Sequence, residues 1–196
     1  AYPFTVLAST GFVLTAMAGG ALHSSYGRLM GLGLIGCCMG DLVGPYHFIG
    51  GAMCFFMAHL LFIAAYAARG LQWRNMISPL AVILVFGVGI VLWLMPHVPS
   101  AETQLVIAYM VVISGMVVLA FGAKIGNGRP FVLTGVVLFF VSDIFVARWK
   151  YVSSDGINAF LCYPLYYTAC ILLALSIAIC GNFATEPEYE PVSERG

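Results

Sequence analysis

Seven apolar stretches follow one another along this chain, each about twenty residues long and separated from the next by a short polar break. The hydrocarbon core of a bilayer, about 30 Å thick, is crossed by roughly 20 apolar residues in an α-helix. Because the breaks are short, consecutive helices are expected to be antiparallel neighbours. The predicted spans lie approximately at 4–22, 27–44, 48–68, 77–95, 103–121, 130–148 and 158–180.

Composition excludes a soluble fold. Apolar residues make up 62% of the 196 residues and charged residues 8%, whereas soluble domains are about 45–50% apolar and about 25% charged. The predicted fold class is therefore all-α, a polytopic transmembrane helix bundle over residues 1–182. Residues 183–196 form an acidic, proline-containing tail that is expected to be disordered. The net charge of zero provides no basic surface for nucleic acid.

The six cysteines all lie within apolar stretches, where they are expected to be small buried residues. No CxxC motif pairs with a second CxxC or with HxxxH, so the sequence predicts no zinc site. No cofactor is predicted either.

Basic residues between the stretches predict how the chain is oriented. We name the membrane face next to residue 1 side A and the opposite face side B. Side A carries two basic residues and side B carries five, so side B is expected to be cytoplasmic, together with the C-terminus. The residues are Arg148 and Lys150 on side A, and Arg28, Arg69, Arg74, Lys124 and Arg129 on side B.

Three ionisable residues fall within the stretches, namely Asp41, His59 and Asp143. A charged group at mid-membrane costs at least about 2.5–3.5 kcal/mol, so such residues face the bundle interior and are candidates for function. A single buried histidine or aspartate is also common as a hydrogen-bonded structural residue. Two aspartates at similar depth, with a histidine near them, are harder to explain in that way.

Depth along each predicted helix places these residues in one region. Asp41 and Asp143 are each expected about one turn from the side A end, and His59 about 10 Å deeper. The spacing predicts a polar pocket that is open toward side A and has His59 at its floor. Three tyrosines fall at intermediate depth and are expected to bind substrate, although tyrosines near a boundary are often interfacial anchors. They are Tyr109, Tyr166 and Tyr167.

Three of these stretches resemble the YhhN family of membrane proteins, which includes the lysoplasmalogenases. They are MGLGLIGCCMGD, FIGGAMCFFMAHLLFIAAY and GVVLFFVSDIF. The positions that match the family's pattern are Gly40, Asp41, Phe48, Gly51, Phe55, Ala58, His59, Tyr66, Gly135, Phe139, Ser142 and Asp143.

The chain also departs from the family's pattern. The family usually has eight spans, so a further span upstream of the seven is expected. Tyr2-Pro3 stands where the family tends to have Lys-Pro, and Cys170 stands where the last helix often has Gln. If that Gln helps to bind substrate, selectivity differs in this chain.

The resemblance implies hydrolysis of the vinyl ether bond of lysoplasmalogens, which yields a fatty aldehyde and a glycerophospho-alcohol. Protonating the β-carbon of a vinyl ether requires an acid that stays protonated near neutral pH, and an apolar environment favours the neutral form of a carboxyl group. A second carboxylate would stabilise the oxocarbenium ion and accept a proton from water, as in glycoside hydrolysis. Asp41 and Asp143 are the expected pair, and His59 is expected to orient one of them or the water.

The expected substrate is a lysophospholipid whose alkenyl chain lies in an apolar slot among membrane lipids. Ser142 is expected to contact it, and Arg148 and Lys150 to attract its phosphate. The helix-end position of Lys150 argues against a retinal Schiff base, which needs a desolvated lysine. The resemblance implies the endoplasmic reticulum for a eukaryotic protein and the inner membrane for a bacterial one. The sequence leaves the oligomeric state open.

Two other functions fit the same residues. Buried Asp and His side chains also form proton relays in transporters, although the sequence shows no inverted repeat and no pair of broken helices. A non-catalytic lipid-binding bundle would use the same pocket and release its ligand uncleaved.

Overall fold

The structure is a computed structural model that describes residues 2–181. Seven α-helices coincide with the seven predicted stretches to within a few residues, which confirms the all-α fold class. The predicted tail, 183–196, lies outside the described residues. The helices are α1 (Tyr2–Ala18), α2 (Ser25–Val43), α3 (Phe48–Ala68), α4 (Arg74–Leu94), α5 (Thr103–Gly122), α6 (Arg129–Tyr151) and α7 (Gly156–Gly181).

The helices begin and end at the polar breaks for local reasons. The Ser24 hydroxyl accepts a hydrogen bond from the Gly27 N–H (2.9 Å) and so caps α2. His47 Nδ1 accepts from the Gly50 N–H (2.9 Å) at the start of α3. Between α1 and α2 the chain turns at Gly20, whose φ of 84° lies in the left-handed region that favours glycine.

Six of the helices form a closed ring in the order α1, α2, α3, α5, α6, α7, with α7 returning to α1. Helix α4 lies outside this ring and packs mainly on α5, with a smaller contact to α6. Because successive helices are antiparallel, residues near the C-terminal ends of α2, α4 and α6 and the N-terminal ends of α1, α3, α5 and α7 share side A.

Five of the seven helices, α3 to α7, are long and apolar enough to cross a membrane by length and composition. Helix α1 is apolar but shorter, and α2 is not among the five. The glycines of α2, together with Arg28 and Asp41, lower its hydropathy. The structure thus contains the seven predicted helices, and α1 and α2 depart from the predicted pattern of a full apolar span.

Glycines let α2 and α3 pack closely, and this packing positions the site. A Cβ at Gly33 would lie 2.4 Å from the Phe62 ring, and a Cβ at Gly40 would lie 2.6 Å from the Phe55 ring. The aromatic rings of α3 therefore occupy space that α2 leaves free. Phe55 is thereby brought beside the C-terminal end of α2.

Candidate active site

A cavity of about 600 Å³ lies at the side A end of the bundle. Its lining is mostly apolar, and a volume of 300–1,000 Å³ is typical of sites for small molecules. Every helix contributes to the wall, from α1 to α7 in order, through Thr5, Asp41, Phe55, Ile90, Tyr109, Asp143 and Tyr166. Both predicted aspartates therefore face one cavity.

Asp41, on the last turn of α2, accepts two hydrogen bonds on Oδ2. One comes from the hydroxyl of Ser9 on α1 and the other from the hydroxyl of Tyr166 on α7 (3.0 Å). Ser9 is fully buried. Hydroxyl donors of this kind stabilise a carboxylate anion, and they fix the orientation of Asp41 from both sides.

Asp143, on α6, accepts a hydrogen bond on Oδ2 from the Tyr109 hydroxyl (2.8 Å). The Ser142 hydroxyl lies 3.4 Å from Oδ1, but it lies closer to the Phe139 carbonyl oxygen (2.7 Å) and donates there. The Asp143 side chain is 16% exposed. Asp143 thus has one strong donor and Asp41 has two, and in both aspartates the strong hydrogen bonds are made to Oδ2.

His59 lies closer to Asp143 than the sequence indicates. Its Nε2 is 4.0 Å from Asp143 Oδ2, beyond hydrogen-bond distance. Helix α6 continues to Tyr151, three residues past the predicted end. Asp143 is therefore about two turns from that end, rather than about one. The estimate that His59 lies about 10 Å deeper than Asp143 is wrong for the side chains.

The His59 ring is fully buried and does not line the cavity. It packs edge-on against the rings of Phe139 (centroids 4.9 Å apart) and Tyr109 (5.4 Å). Neither ring nitrogen has a hydrogen-bond partner among the described residues. His59 is thus placed behind Asp143 and Tyr109, where it can set their positions through packing.

The two cations that were predicted to attract phosphate differ in environment. The Arg148 guanidinium makes a bidentate pair with Asp155 (2.8 and 2.7 Å) and also donates to Asn158 Oδ1 (2.6 Å). This hydrogen bonding by Arg148 lowers the pKa of Asp155, in the connection between α6 and α7, to about 2. Arg148 does not line the cavity.

Lys150 does line the cavity. Its ammonium lies over the Phe48 ring (4.7 Å to the centroid) and near the Tyr151 ring (6.0 Å). It has no carboxylate within 4.0 Å in the part of the chain that the structure describes.

The other residues that were predicted to bind substrate also differ in whether they line the cavity. Tyr109, Tyr166 and Ser142 line the cavity. Tyr167 does not, because successive residues of a helix point about 100° apart. Its ring stacks on Tyr163 (centroids 6.3 Å apart) on the side toward α1.

Three polar residues near the site were missed by sequence reasoning. The Ser9 hydroxyl donates to Asp41, and the hydroxyl of Tyr151, which lines the cavity, donates to Glu102 Oε2 (2.7 Å), which lies outside the lining. Ser9 carried a weak signal as a polar residue in an apolar helix, and Glu102 as an acidic residue in a side A connection. Within residues 2–181, no group of three His, Cys, Asp or Glu side chains is placed to hold a metal ion.

Comparison with known proteins identifies the family. A model of the YhhN family matches residues 2–177, nearly the whole chain, so the protein belongs to this family. No curated protein and no solved structure matches the chain.

Proposed function

We propose that this YhhN-family protein is a membrane hydrolase that cleaves the vinyl ether bond of lysoplasmalogens. The products would be a fatty aldehyde and a glycerophospho-alcohol. One observation carries the proposal. Two aspartates on different helices, each hydrogen-bonded by a tyrosine, face a mostly apolar cavity at the same end of the bundle.

The hydrogen bonds suggest which aspartate is the acid. Asp41 has two hydroxyl donors, which favour the carboxylate and suit a base. Asp143 has only one strong donor, so its carboxylate is favoured less than that of Asp41 and its protonated form suits an acid, with Oδ1 free to carry the proton. We therefore assign Asp143 as general acid and Asp41 as general base.

Asp143 transfers its proton to the β-carbon of the vinyl ether, and the resulting oxocarbenium ion is stabilised by the Asp41 carboxylate. Water adds to the α-carbon while Asp41 accepts one of its protons. The hemiacetal collapses as its hydroxyl proton passes to the departing glycerol oxygen. Aldehyde and alcohol leave, and one proton returns from Asp41 to Asp143 through solvent.

The apolar part of the cavity suits the alkenyl chain. It extends between α5 and α6 and is closed on the outside by α4, whose position outside the ring leaves it free to form this wall. The side chains that line it are Ile90 and Leu94 from α4, Met110 and Ile113 from α5, and Phe140 and Ile144 from α6. A single chain buried there holds the vinyl ether beside the aspartates.

The test is to incubate the purified protein with a lysoplasmalogen in D₂O and to analyse the products by mass spectrometry. The expected product is a fatty aldehyde with one deuterium on the carbon next to the carbonyl, because the acid protonates that carbon. An alkyl-ether lysolipid of equal chain length should give no aldehyde. Asp143→Asn and Asp41→Asn should each lower kcat at least about 100-fold, the usual range for general acid–base catalysis.

Asp155→Asn is the matched control, because it makes the same change outside the cavity lining. It should keep wild-type turnover. The absence of aldehyde from folded, monodisperse protein, or full turnover by both cavity variants, would overturn the proposal. Uncleaved lysolipid that stays bound would then favour a lipid-binding protein, and proton-coupled uptake in liposomes would favour a transporter.

A further inference from the structure

At the side A end of the cavity, one tyrosine lies between a cation that lines the cavity and an anion that lies outside its lining. Lys150 lies near the face of the Tyr151 ring, and the Tyr151 hydroxyl donates to Glu102 at the start of α5. Phe48 packs edge-on against Tyr151 (centroids 6.3 Å apart, 87°) and completes an aromatic corner beside the cation. Phe48, Lys150 and Tyr151 all line the cavity.

Neither charge is neutralised by the described part of the chain. The Lys150 ammonium contacts only ring faces. The Glu102 carboxylate has one donor, Tyr151, and no cation within 4.0 Å. Arg148, one turn before Tyr151, differs from Lys150 because its charge is paired. Its guanidinium N–H groups donate to Asp155 and Asn158.

From this arrangement we propose that two residues determine headgroup specificity: Lys150, in the cavity lining, binds the phosphate, and Glu102, outside the lining beside the Tyr151 hydroxyl, binds a headgroup ammonium that extends past the cavity. The inference rests on the proposed function and specifies the substrate class of the same site. A charge-assisted hydrogen bond to phosphate is stronger than a cation–π contact at an exposed site, so a phosphate draws the Lys150 ammonium away from the rings. The rings of Phe48 and Tyr151 are then free to contact the headgroup ammonium, as aromatic rings do for quaternary amines.

The register of α6 agrees with this assignment. Lys150 follows Asp143 by seven residues, which places both on one face of the helix, two turns and about 10 Å apart. A glycerol backbone separates the phosphate of a lysoplasmalogen from its vinyl ether. The phosphate can therefore meet the long Lys150 side chain while the vinyl ether lies at Asp143 and the chain lies toward α4.

The test uses four lipids with the same alkenyl chain, bearing phosphocholine, phosphoethanolamine, phosphate alone, or no substituent on the glycerol. Lys150→Met should raise KM at least tenfold for the three phosphate-bearing lipids and leave it unchanged for the alkenylglycerol. Glu102→Gln should raise KM severalfold for the two aminated lipids and not for the phosphate lipid. Lys124→Met, the same charge change at the side B end, should match the wild type.

Equal KM changes across all four lipids in Lys150→Met would overturn the phosphate assignment. Equal changes for aminated and non-aminated lipids in Glu102→Gln would overturn the ammonium assignment. A second measurement separates these failures from that of the proposed function. It is the Kd of the uncleavable alkyl-ether lysophosphocholine, which should rise at least tenfold in Lys150→Met whether or not the wild type releases aldehyde.

Discussion

At the scale of single residues, hydroxyl groups determine how the two aspartates differ. Asp41 is held by Ser9 and Tyr166, and Asp143 by Tyr109. Each donor comes from a helix other than that of its aspartate, so the carboxyl groups are oriented by the tertiary fold. The chain also contains a buried tyrosine on α3, Tyr66, whose hydroxyl has no partner among the described residues.

Tyr109→Phe and Tyr66→Phe make a matched pair. Tyr109→Phe removes the strong donor to Asp143, and because hydrogen bonds to charged groups contribute about 1.5–3 kcal/mol, kcat should fall at least about tenfold. Tyr66→Phe removes an unpaired buried hydroxyl and should stabilise the protein by about 1 kcal/mol without changing kcat. Turnover and thermal unfolding in detergent measure both. Wild-type kcat in Tyr109→Phe would contradict the role given to that hydroxyl.

The Arg148–Asp155 pair should make stability depend on acid pH. The pKa of Asp155 is lowered by the hydrogen bonds from Arg148 to about 2, from an ordinary value near 3.9. A group whose pKa is lowered on folding contributes stability above its unfolded pKa and loses it as pH falls through the folded one. The stability difference between wild type and Asp155→Asn should therefore be constant above about pH 5 and shrink toward pH 2. A difference independent of pH, measured by thermal unfolding, would exclude this linkage.

At the scale of helices, α4 is the element whose position matters most for the site. It contributes a single fully buried residue, Leu94, and presents most of its surface outward. Its inner edge nevertheless closes the apolar part of the cavity through Ile90 and Leu94. Helix α4 is therefore expected to influence which lengths of alkenyl chain the site accepts, rather than the rate of hydrolysis.

Ile90→Phe should shorten the preferred alkenyl chain, because the larger ring fills space that the end of the chain occupies. Each methylene that loses its site costs about 0.8 kcal/mol. The kcat/KM ratio for an 18-carbon over a 12-carbon chain should therefore fall at least about tenfold. Val88→Phe, on the exposed face of the same helix, should keep the wild-type ratio. Equal ratios in the two variants would place the chain elsewhere.

The contact of α2 with α3 predicts a contrast between two glycines. A Cβ at Gly51 would lie 2.5 Å from Gly44 Cα, a backbone atom that cannot move aside. Gly51→Ala should therefore destabilise the protein by about 1–3 kcal/mol. Gly89→Ala, in α4, meets nothing within 4 Å and should be neutral or stabilise by up to about 1 kcal/mol. If thermal unfolding gave the same change in stability for both variants, the close approach of α2 and α3 would not be needed for the stability of the protein.

In the molecule as a whole, the site lies toward side A. The orientation of the chain in the membrane therefore determines whether the cavity opens to the cytoplasmic or the opposite face. The excess of basic residues on side B predicts that side A is extracytoplasmic and the C-terminus cytoplasmic. Expressed in bacteria, a C-terminal fluorescent protein should fluoresce and a C-terminal alkaline phosphatase should be inactive. Active phosphatase would reverse the orientation and place the cavity on the cytoplasmic face.

The seven helices, and the presence of two aspartates within them, could be predicted from the sequence alone. Hydropathy is a local property, so each of the seven stretches specified a helix without reference to the others. The cost of burying a charge made Asp41 and Asp143 conspicuous for the same reason, and the antiparallel order brought both to side A.

Which side chains meet could not be predicted from hydropathy, because it depends on how the helices pack. Tyr166 faces the cavity and Tyr167 does not, because the rotation of α7 about its axis is set by packing on its neighbours. Arg148 pairs with Asp155 while Lys150 remains available, and α4 leaves the ring to cover the cavity. These outcomes depend on helix rotation and on contacts between residues distant in sequence, whereas hydropathy records only how apolar each stretch is.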